Sequence, residues 1–315
     1  MQRSPGRLAG IRRRVPVAWA HAGPAAGWIA RRRGRQPPVL VLSMPRSGSS
    51  WVGATLGSAA DAAYLREPLT QYWARGRGKP AVFEPDGTDV PASYRRDADL
   101  AFMGVPRFPG DVVRDSRQWR PTGRGRRVVV KEVNPLAVRW LVETYRPRLV
   151  YLARHPAAVA ESTTRQGWQV HGYGELFTAA RRGTGELRED EVGDDVHTRL
   201  GAVQAHAARW VLDVVDRAAS YGVEARIQSF ESLCLDPLGE FRALFDFAGL
   251  RWDDTVADAV RARSEGRDAP GDEPVSRRSA DLPDLWRSRL SAEQTAAVRR
   301  GWELFDPPLY GPETW

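Results

Sequence analysis

The most constraining feature of this sequence is a short apolar run that leads directly into a glycine- and serine-rich turn and then into a helix. Residues 39–42 have the composition of a buried parallel strand. The turn that follows reads Ser43-Met44-Pro45-Arg46-Ser47-Gly48-Ser49-Ser50-Trp51. A strand, a tight turn and a helix start bring backbone N–H groups and the positive end of a helix dipole to one place. The turn is therefore predicted to bind a phosphate, with Arg46 and the serine hydroxyls as further donors.

The same turn departs from the triphosphate-binding loop of kinases and ATPases, whose pattern is G-x-x-x-x-G-K-[ST]. Gly48 and Ser50 match that pattern, but Ser43 stands in the place of its first glycine and Ser49 in the place of its lysine. This argues against triphosphate chemistry, because no lysine extends toward β- and γ-phosphates. A P-loop kinase stays an alternative that ATP hydrolysis would favour.

Further short apolar runs, and segments with apolar residues at helical spacing, predict an α/β protein. More strands are expected at residues 63–65, 127–130, 149–152 and 224–227. Helices are expected at residues 49–60, 135–145, 156–166, 198–220 and 237–248. Alternating strands and helices indicate a central parallel sheet flanked by helices in three layers, which binds ligands at the carboxyl ends of its strands. Stretches rich in Gly, Pro and charge are expected to be lid or acceptor-binding loops, at residues 74–126, 167–197 and 263–285.

The net charge of +8 belongs to the N-terminus. Residues 1–35 hold nine arginines and no acid, while the remaining 280 residues hold 38 basic and 39 acidic side chains. The body is nearly neutral, so its charge gives no reason to expect a nucleic-acid partner. We assign residues 1–36 to a basic arm and residues 37–315 to one domain, a length that suits a large α/β unit.

The arm holds an apolar run between two arginine clusters. The run is too short to span a membrane and is interrupted by Pro16 and Pro24. A solvated arm, an export signal and peripheral contact with anionic lipid are the alternatives. Cys234 is the single cysteine, so no internal disulfide can form. We expect a cytoplasmic protein whose membrane contact, if it has one, runs through this arm.

A second phosphate-binding segment is predicted where another strand ends. Arg154 follows the run at residues 149–152, and Ser162 lies eight residues later, about two helical turns along the next helix. An arginine and a hydroxyl that converge at a strand end can hold a phosphate. An arginine in this place can also be a surface ion-pair partner.

Residues 45–51 resemble the 5′-phosphosulfate-binding loop of sulfotransferases that use PAPS (3′-phosphoadenosine-5′-phosphosulfate), and residues 149–162 resemble their 3′-phosphate-binding segment. The resemblance covers residues 38–300 and implies a P-loop-like fold with PAPS as co-substrate and no metal ion. It assigns donor binding to Arg46, Ser47, Gly48, Ser49, Ser50, Trp51, Arg154 and Ser162. Trp51 matches a position where some members stack the adenine, and packing under the first helix is its alternative role.

Two later stretches resemble the family less closely. Residues 228–233 resemble a structural strand-and-helix motif in which Phe230 replaces a tyrosine and Ser232 an aspartate. Residues 275–287 resemble the basic loop and Trp-Lys segment that close over the co-substrate. By this resemblance Arg277 and Arg278 would bind the donor; the alternative is that they are solvated surface charges.

The acceptor side is marked by Arg66-Glu67-Pro68-Leu69. Carbohydrate- and tyrosine-modifying sulfotransferases have a similar Glu-Pro element, so the resemblance implies that Glu67 is the catalytic base, with a structural ion pair as the alternative. Lys131 resembles a lysine that other members aim at the bridging oxygen. Phenol-modifying members carry a histidine near that lysine, and this chain has Glu132, so we expect a bacterial member closer to the first two groups. Glu132 and His171 are alternative bases.

These observations predict a PAPS-dependent sulfotransferase. It would transfer a sulfuryl group to a hydroxyl or amine of a small-molecule, glycan or lipid acceptor and release PAP, with Glu67, Lys131 and Arg46 as catalytic residues. The alternatives are a P-loop kinase and a non-catalytic binder of phosphorylated or sulfated ligands. The five histidines are scattered and there is one cysteine, so no metal site is predicted.

Overall fold

The structure is a computed structural model that describes residues 36–70, 90, 92–102, 126–167, 192–265 and 278–315. Its centre is a sheet of five strands, β1 (Val39–Ser43), β2 (Ala62–Arg66), β3 (Arg127–Glu132), β4 (Arg148–Ala153) and β5 (Ala225–Ser229). The strands lie in the order β2-β3-β1-β4-β5, and every neighbouring pair is parallel. All five predicted strands are confirmed, each displaced at its ends by no more than about two residues.

Helices connect these strands and also follow the last of them. The α-helices are α1 (Ser49–Leu56), α2 (Ala92–Phe102), α3 (Val138–Tyr145), α4 (Pro156–Arg165), α5 (Val196–Asp216), α6 (Phe230–Leu235), α7 (Pro237–Ala248), α8 (Asp254–Ser264) and α9 (Ala292–Glu303). Short 3₁₀ helices span Pro135–Ala137, Ala218–Tyr221, Ser279–Asp281, Leu285–Ser288 and Pro312–Thr314.

The sheet is covered on both faces, as the predicted three-layer α/β fold requires. Val39 and Val41 of β1 pack into one core with residues of α1, α6, α7 and α8. Leu40 and Leu42 point to the other face and pack with residues of α2, α3 and α5. All four side chains are fully buried. Because β1 is buried on both faces, residues 39–42 are all apolar and do not alternate between apolar and polar side chains.

One loop expectation was wrong. Residues 74–126 contain helix α2, which buries Tyr94, Ala98 and Phe102 against the sheet. These side chains recur at steps of four and hold one face of the helix to the core. Four charged side chains among them obscured this spacing in the sequence. The rest of the stretch, except Val90 and Arg126, lies outside the described residues.

The other unassigned stretches are bounded by helices. Helix α5 begins at Val196, and α8 extends to Ser264. The N-terminal arm lies outside the described residues. Within the described part of the chain, no helix has the length and apolar character needed to cross a membrane.

The sheet brings five chain segments to one edge. In the register of the parallel strands, Val41 and Arg66 both lie opposite Lys131, Ser43 lies opposite Leu152, and Ala153 lies opposite Ser229. The segments that leave the five strands therefore emerge side by side, and the order along this edge places Lys131 between the ends of β2 and β1.

Candidate active site

The turn between β1 and α1 has the backbone conformation of an anion-binding loop. Arg46 has φ 70° and Gly48 has φ 88°, so two of its residues are left-handed. Gly48 is the N-cap of α1. Helix α1 starts immediately after it, and the first N–H groups of a helix have no intrahelical acceptor. A left-handed conformation costs a non-glycine residue such as Arg46 roughly 1–2 kcal/mol.

Gly48 cannot carry a side chain in this structure. A Cβ atom built on it would lie 2.4 Å from two ring carbons of Phe230. The glycine is therefore needed twice, for its positive φ and for the close approach of the ring. Ser47 and Ser49 are buried in the same loop, and Ser50 is half-buried.

The predicted second phosphate segment lies against this loop. Arg46 donates from Nε to Oγ of Ser162 at 3.0 Å. Arg154 donates from Nη1 to the backbone carbonyl of Arg46 at 2.8 Å. The structure thus brings together Arg46, Arg154 and Ser162, which the sequence placed in two separate segments.

Aromatic rings pack against Arg154. The guanidinium of Arg154 lies 4.5 Å from the ring centroid of Phe230. Trp51 packs edge-on against Phe230 at 6.0 Å and against Phe241 at 5.0 Å. Burial lowers the pKa of Arg154, and the negative charge of Glu231 opposes that shift. A guanidinium over an aromatic face and beside a carboxylate stays charged although it is largely buried.

A cavity of about 350 Å³ opens between the loop, α4 and the C-terminal segment. Its lining includes Arg46, Gly48, Trp51, Arg154, Ser162 and Phe230. Five arginines and one glutamate supply the charges of this lining: Arg46, Arg154, Arg165, Arg263, Arg289 and Glu161. Five positive charges against one negative give the described part of the lining a net charge of +4, which suits a ligand with several negative charges. Trp51 both packs on two phenylalanines and lines the cavity, so its stacking on an adenine stays a prediction.

The carboxylate of Glu231, which is partly buried, holds the segment after β4. Glu231 accepts the backbone N–H of His155 at 2.9 Å and the hydroxyl of Tyr310 at 2.9 Å. The His155 ring stacks on Trp286, with centroids 4.6 Å apart. Burial lowers the pKa of His155 to about 3, so the ring is neutral at physiological pH and forms part of the packing.

The predicted base and lysine form one buried ion pair. Glu67 follows β2, Lys131 lies in β3, and Lys131 Nζ donates to Glu67 Oε1. Their side chains are 9% and 2% exposed, respectively. The Glu67 backbone N–H also donates to the carbonyl of Lys131 at 2.6 Å. Burial lowers the pKa of Lys131, and the charge of Glu67 works against that shift.

Glu132 holds the turn that follows β2. Its carboxylate accepts the N–H of Leu69 at 2.6 Å and the hydroxyl of Thr70 at 2.6 Å, and the Thr70 N–H lies 3.4 Å from both oxygens. These bonds hold the turn that contains Glu67, whose φ of 49° is left-handed. A strained residue persists only where its surroundings hold it. The sequence did not indicate this role, since the contacts depend on how the turn folds back.

Other predicted residues lie apart from this centre. The side chain of Arg278 is exposed and is not among those that line the cavity, although the next residue, Ser279, is. Arg277 and His171 lie outside the described residues. Arg165, Arg263 and Arg289 line the cavity without having been predicted. No group of three or more His, Cys, Asp or Glu able to hold a metal ion occurs among the described residues.

Comparison with known proteins identifies a family. The sequence model described as Sulfotransferase family matches residues 37–254, which include the anion loop, the Arg154–Ser162 segment, Glu67 and Lys131. No curated protein matches this chain.

Several solved structures are similar in outline. The sulfotransferase domain from the Synechococcus PCC 7002 olefin synthase is 18% identical, with a TM-score of 0.48, and the match covers 87% of this chain and 95% of that one. The sulfotransferase domain from the curacin biosynthetic pathway is 15% identical, with a TM-score of 0.47 and coverage of 85% and 98%. Mouse sulfotransferase SULT7A1, complexed with PAP, is 12% identical, with a TM-score of 0.42 and coverage of 88% and 86%.

Proposed function

Since this chain belongs to the sulfotransferase family, we propose that it transfers a sulfuryl group from PAPS to a hydroxyl or amine and releases PAP. The observation that carries the donor assignment is the hydrogen bond from Arg46 to Ser162 at 3.0 Å. It joins a helix-start anion loop to an arginine-and-hydroxyl clamp at the edge of one cationic cavity. A donor with phosphate groups at both its 5′ and 3′ ends suits two such binding points side by side.

The anion loop between β1 and α1 would stabilise the leaving group. When the bond between sulfur and the bridging oxygen breaks, negative charge builds up on the 5′-phosphate of PAP. Arg46 and the N–H groups at the start of α1 would stabilise that charge, and such groups act in place without reorganising. Sulfuryl transfer resembles phosphoryl transfer, in which positioning and charge stabilisation account for most of the catalysis.

Glu67 and Lys131 would act on the acceptor side of the reaction. We propose that Glu67 takes the proton of the acceptor as the new S–O bond forms, which for a general base contributes about 10²–10⁴-fold in rate. Lys131, whose Nζ contacts Glu67, would offer its charge to the bridging oxygen. Its place in the strand order, between Glu67 and the anion loop, supports this division of roles.

The acceptor is proposed to carry an aliphatic hydroxyl or amine, as in a glycan, a glycolipid or a secondary metabolite. The Glu-Pro element after β2 and the absence of a histidine in residues 131–134 support this class over simple phenols. We further propose a cytoplasmic protein whose basic arm, residues 1–36, provides any contact with anionic lipid.

Transfer of ³⁵S from labelled PAPS to a panel of glycans, glycolipids and hydroxylated metabolites tests this proposal. Wild-type protein should label an acceptor and form an equal amount of PAP. Glu67→Gln should lower the rate about 10²–10⁴-fold and leave PAP affinity unchanged. Turnover of ATP with the same panel, and none of PAPS, would refute the proposal.

A further inference from the structure

One wall of the cationic cavity is built around a single carboxylate oxygen. Oε1 of Glu161 accepts Nε of Arg165 at 2.8 Å and Nη1 of Arg289 at 3.2 Å. The Glu161 side chain is 8% exposed, whereas those of Arg165 and Arg289 are 40% and 35% exposed. Two guanidinium groups thus share one buried anion at the solvent-facing side of the cavity.

This cluster lies beside the phosphate clamp. Glu161 directly precedes Ser162 on α4, and Arg165 is three residues after Ser162, so Ser162 and Arg165 are neighbours on one side of the helix. Arg289 comes from a distant part of the chain, just after the 3₁₀ helix Leu285–Ser288. The stacking of Trp286 on His155 holds that segment against α4. The fold therefore places the cationic side chain of Arg289 beside the clamp, although no local sequence motif around Ser162 includes Arg289.

The charges of the cavity exceed what a nucleotide with a single phosphate would need. The described residues of its lining carry a net charge of +4. A phosphate monoester carries about −1.5 to −2 at pH 7, so two of them on one nucleotide carry about −3 to −4. One phosphate would leave roughly half of the positive charge without a partner. Glu161 compensates only one of the two guanidinium groups that it contacts.

We propose that Arg289 is a specificity-determining residue that selects nucleotides carrying a 3′-phosphate, and that Glu161 positions it for this role. The inference rests on the proposed PAPS-dependent function and adds a residue to its donor site. A guanidinium has five N–H donors, and the bond to Glu161 uses one of them, which leaves donors for a phosphate beside Ser162. Arg289 then supplies the charge expected from Arg278, which does not line the cavity.

Calorimetric titration with PAP and with 5′-AMP tests the role of Arg289. Wild-type protein should bind PAP much more tightly than 5′-AMP. Arg289→Ala should weaken PAP binding about tenfold, because a charge-assisted hydrogen bond is lost, and should change 5′-AMP binding by less than about twofold. Arg299→Ala is the matched control, since Arg299 pairs with Glu303 on α9 and does not line the cavity. It should bind both nucleotides as wild type does.

Substitution of Glu161 tests whether this residue positions Arg289 or only reduces the positive charge of the cavity. If the cavity only collected positive charge, Glu161→Ala would tighten PAP binding. If Glu161 positions Arg289, Glu161→Ala should instead reduce the preference for PAP over 5′-AMP about fivefold or more. Glu161→Gln keeps an acceptor oxygen and should restore part of that preference. Circular dichroism on each variant verifies that the fold is retained.

The outcomes distinguish this inference from the function on which it rests. A wild-type protein that binds PAP no more tightly than 5′-AMP overturns both. A wild-type protein that prefers PAP, together with an Arg289→Ala variant that prefers it equally, overturns the role of Arg289 alone. Tighter PAP binding by Glu161→Ala overturns the positioning role of Glu161.

Discussion

Nε of Arg46 donates a hydrogen bond of 3.0 Å to Oγ of Ser162, although the two residues are 116 positions apart in the sequence. Arg46 belongs to the turn that follows β1, and Ser162 belongs to the helix that follows β4. The two strands are neighbours in the sheet, so their segments meet at its carboxyl edge. This contact makes one site from two phosphate-binding segments.

The first prediction concerns the shape of the anion loop. Gly48→Ala should weaken PAP binding more than tenfold and lower the free energy of unfolding by roughly 2–4 kcal/mol. The new Cβ would lie 2.4 Å from the Phe230 ring and would also have to adopt a positive φ. Urea denaturation and calorimetry measure the two effects.

Gly167→Ala is the control for the Gly48 prediction. Gly167 also has a positive φ, of 63°, but a Cβ there would meet nothing within 4 Å. Its loss in stability should therefore be limited to backbone strain, roughly 1 kcal/mol. Equal losses in the two variants would mean that contact with Phe230 is not what requires a glycine at position 48.

The second prediction concerns the buried pair of Glu67 and Lys131. Lys131→Met should lower the free energy of unfolding by roughly 3–5 kcal/mol, because it removes the cation that contacts a buried carboxylate. Glu67→Gln should also destabilise, since it leaves a buried ammonium beside an amide. The double variant should be more stable than the sum of the two losses implies. Urea denaturation of all four proteins measures the coupling, and strictly additive losses would contradict it.

The third prediction concerns how Glu132 holds the turn. Glu132→Ala should lower the free energy of unfolding by roughly 2–4 kcal/mol, because the Leu69 N–H and the Thr70 hydroxyl lose their buried acceptor. Glu132→Gln keeps one acceptor oxygen and should cost less. Thr70→Val removes one of these bonds and should fall between wild type and Glu132→Ala. A Glu132→Ala variant as stable as wild type would show that these bonds do not hold the turn.

The fourth prediction is a pH dependence at the same residue. Burial raises the pKa of Glu132 from its ordinary value to about 7; the bonds from Thr70 and Leu69 and the charge of Lys131 oppose the shift, and the charge of Glu67 adds to it. Tyr94 also faces this carboxyl from α2. Between pH 5 and 7 the folded protein holds a proton here that the unfolded chain has released, so this contribution favours the folded state at low pH and is lost as the pH rises through 7.

Comparison of wild type with Glu132→Gln isolates this contribution, since glutamine does not titrate. The stability advantage of wild type over the variant should shrink as the pH rises from 5 to 8 and then level off. Denaturant midpoints measured at several pH values test this trend. An advantage that grows with pH would mean that folding lowers the pKa of Glu132 instead of raising it.

The sequence was most informative where the local backbone conformation restricts which residue types can occupy a position. Residues 39–42 were predicted as a buried strand and form one, and Gly48 lies where a positive φ and a close ring meet. Arg154 and Ser162 were predicted as a clamp because a strand end and a helix of known rise fix their spacing. The structure brings both to the cavity.

The rest depends on contacts between distant segments. The bond from Glu132 to Leu69 requires that the turn after β2 fold back onto β3, which no spacing in the sequence encodes. Arg289 reaches Glu161 from 128 residues away, so no local motif predicts that it lines the cavity. Helix α2 was missed because charged side chains lie between its buried positions.

The measurement that tests the central claim most directly is a calorimetric titration of wild type and Arg154→Ala with PAP and with ATP·Mg²⁺. The account predicts that wild type binds PAP without added metal, that Arg154→Ala loses at least about tenfold in affinity, and that ATP·Mg²⁺ binds much more weakly. Tight binding of ATP·Mg²⁺ with no response to PAP would contradict the assignment of PAPS as donor and favour a nucleotide kinase.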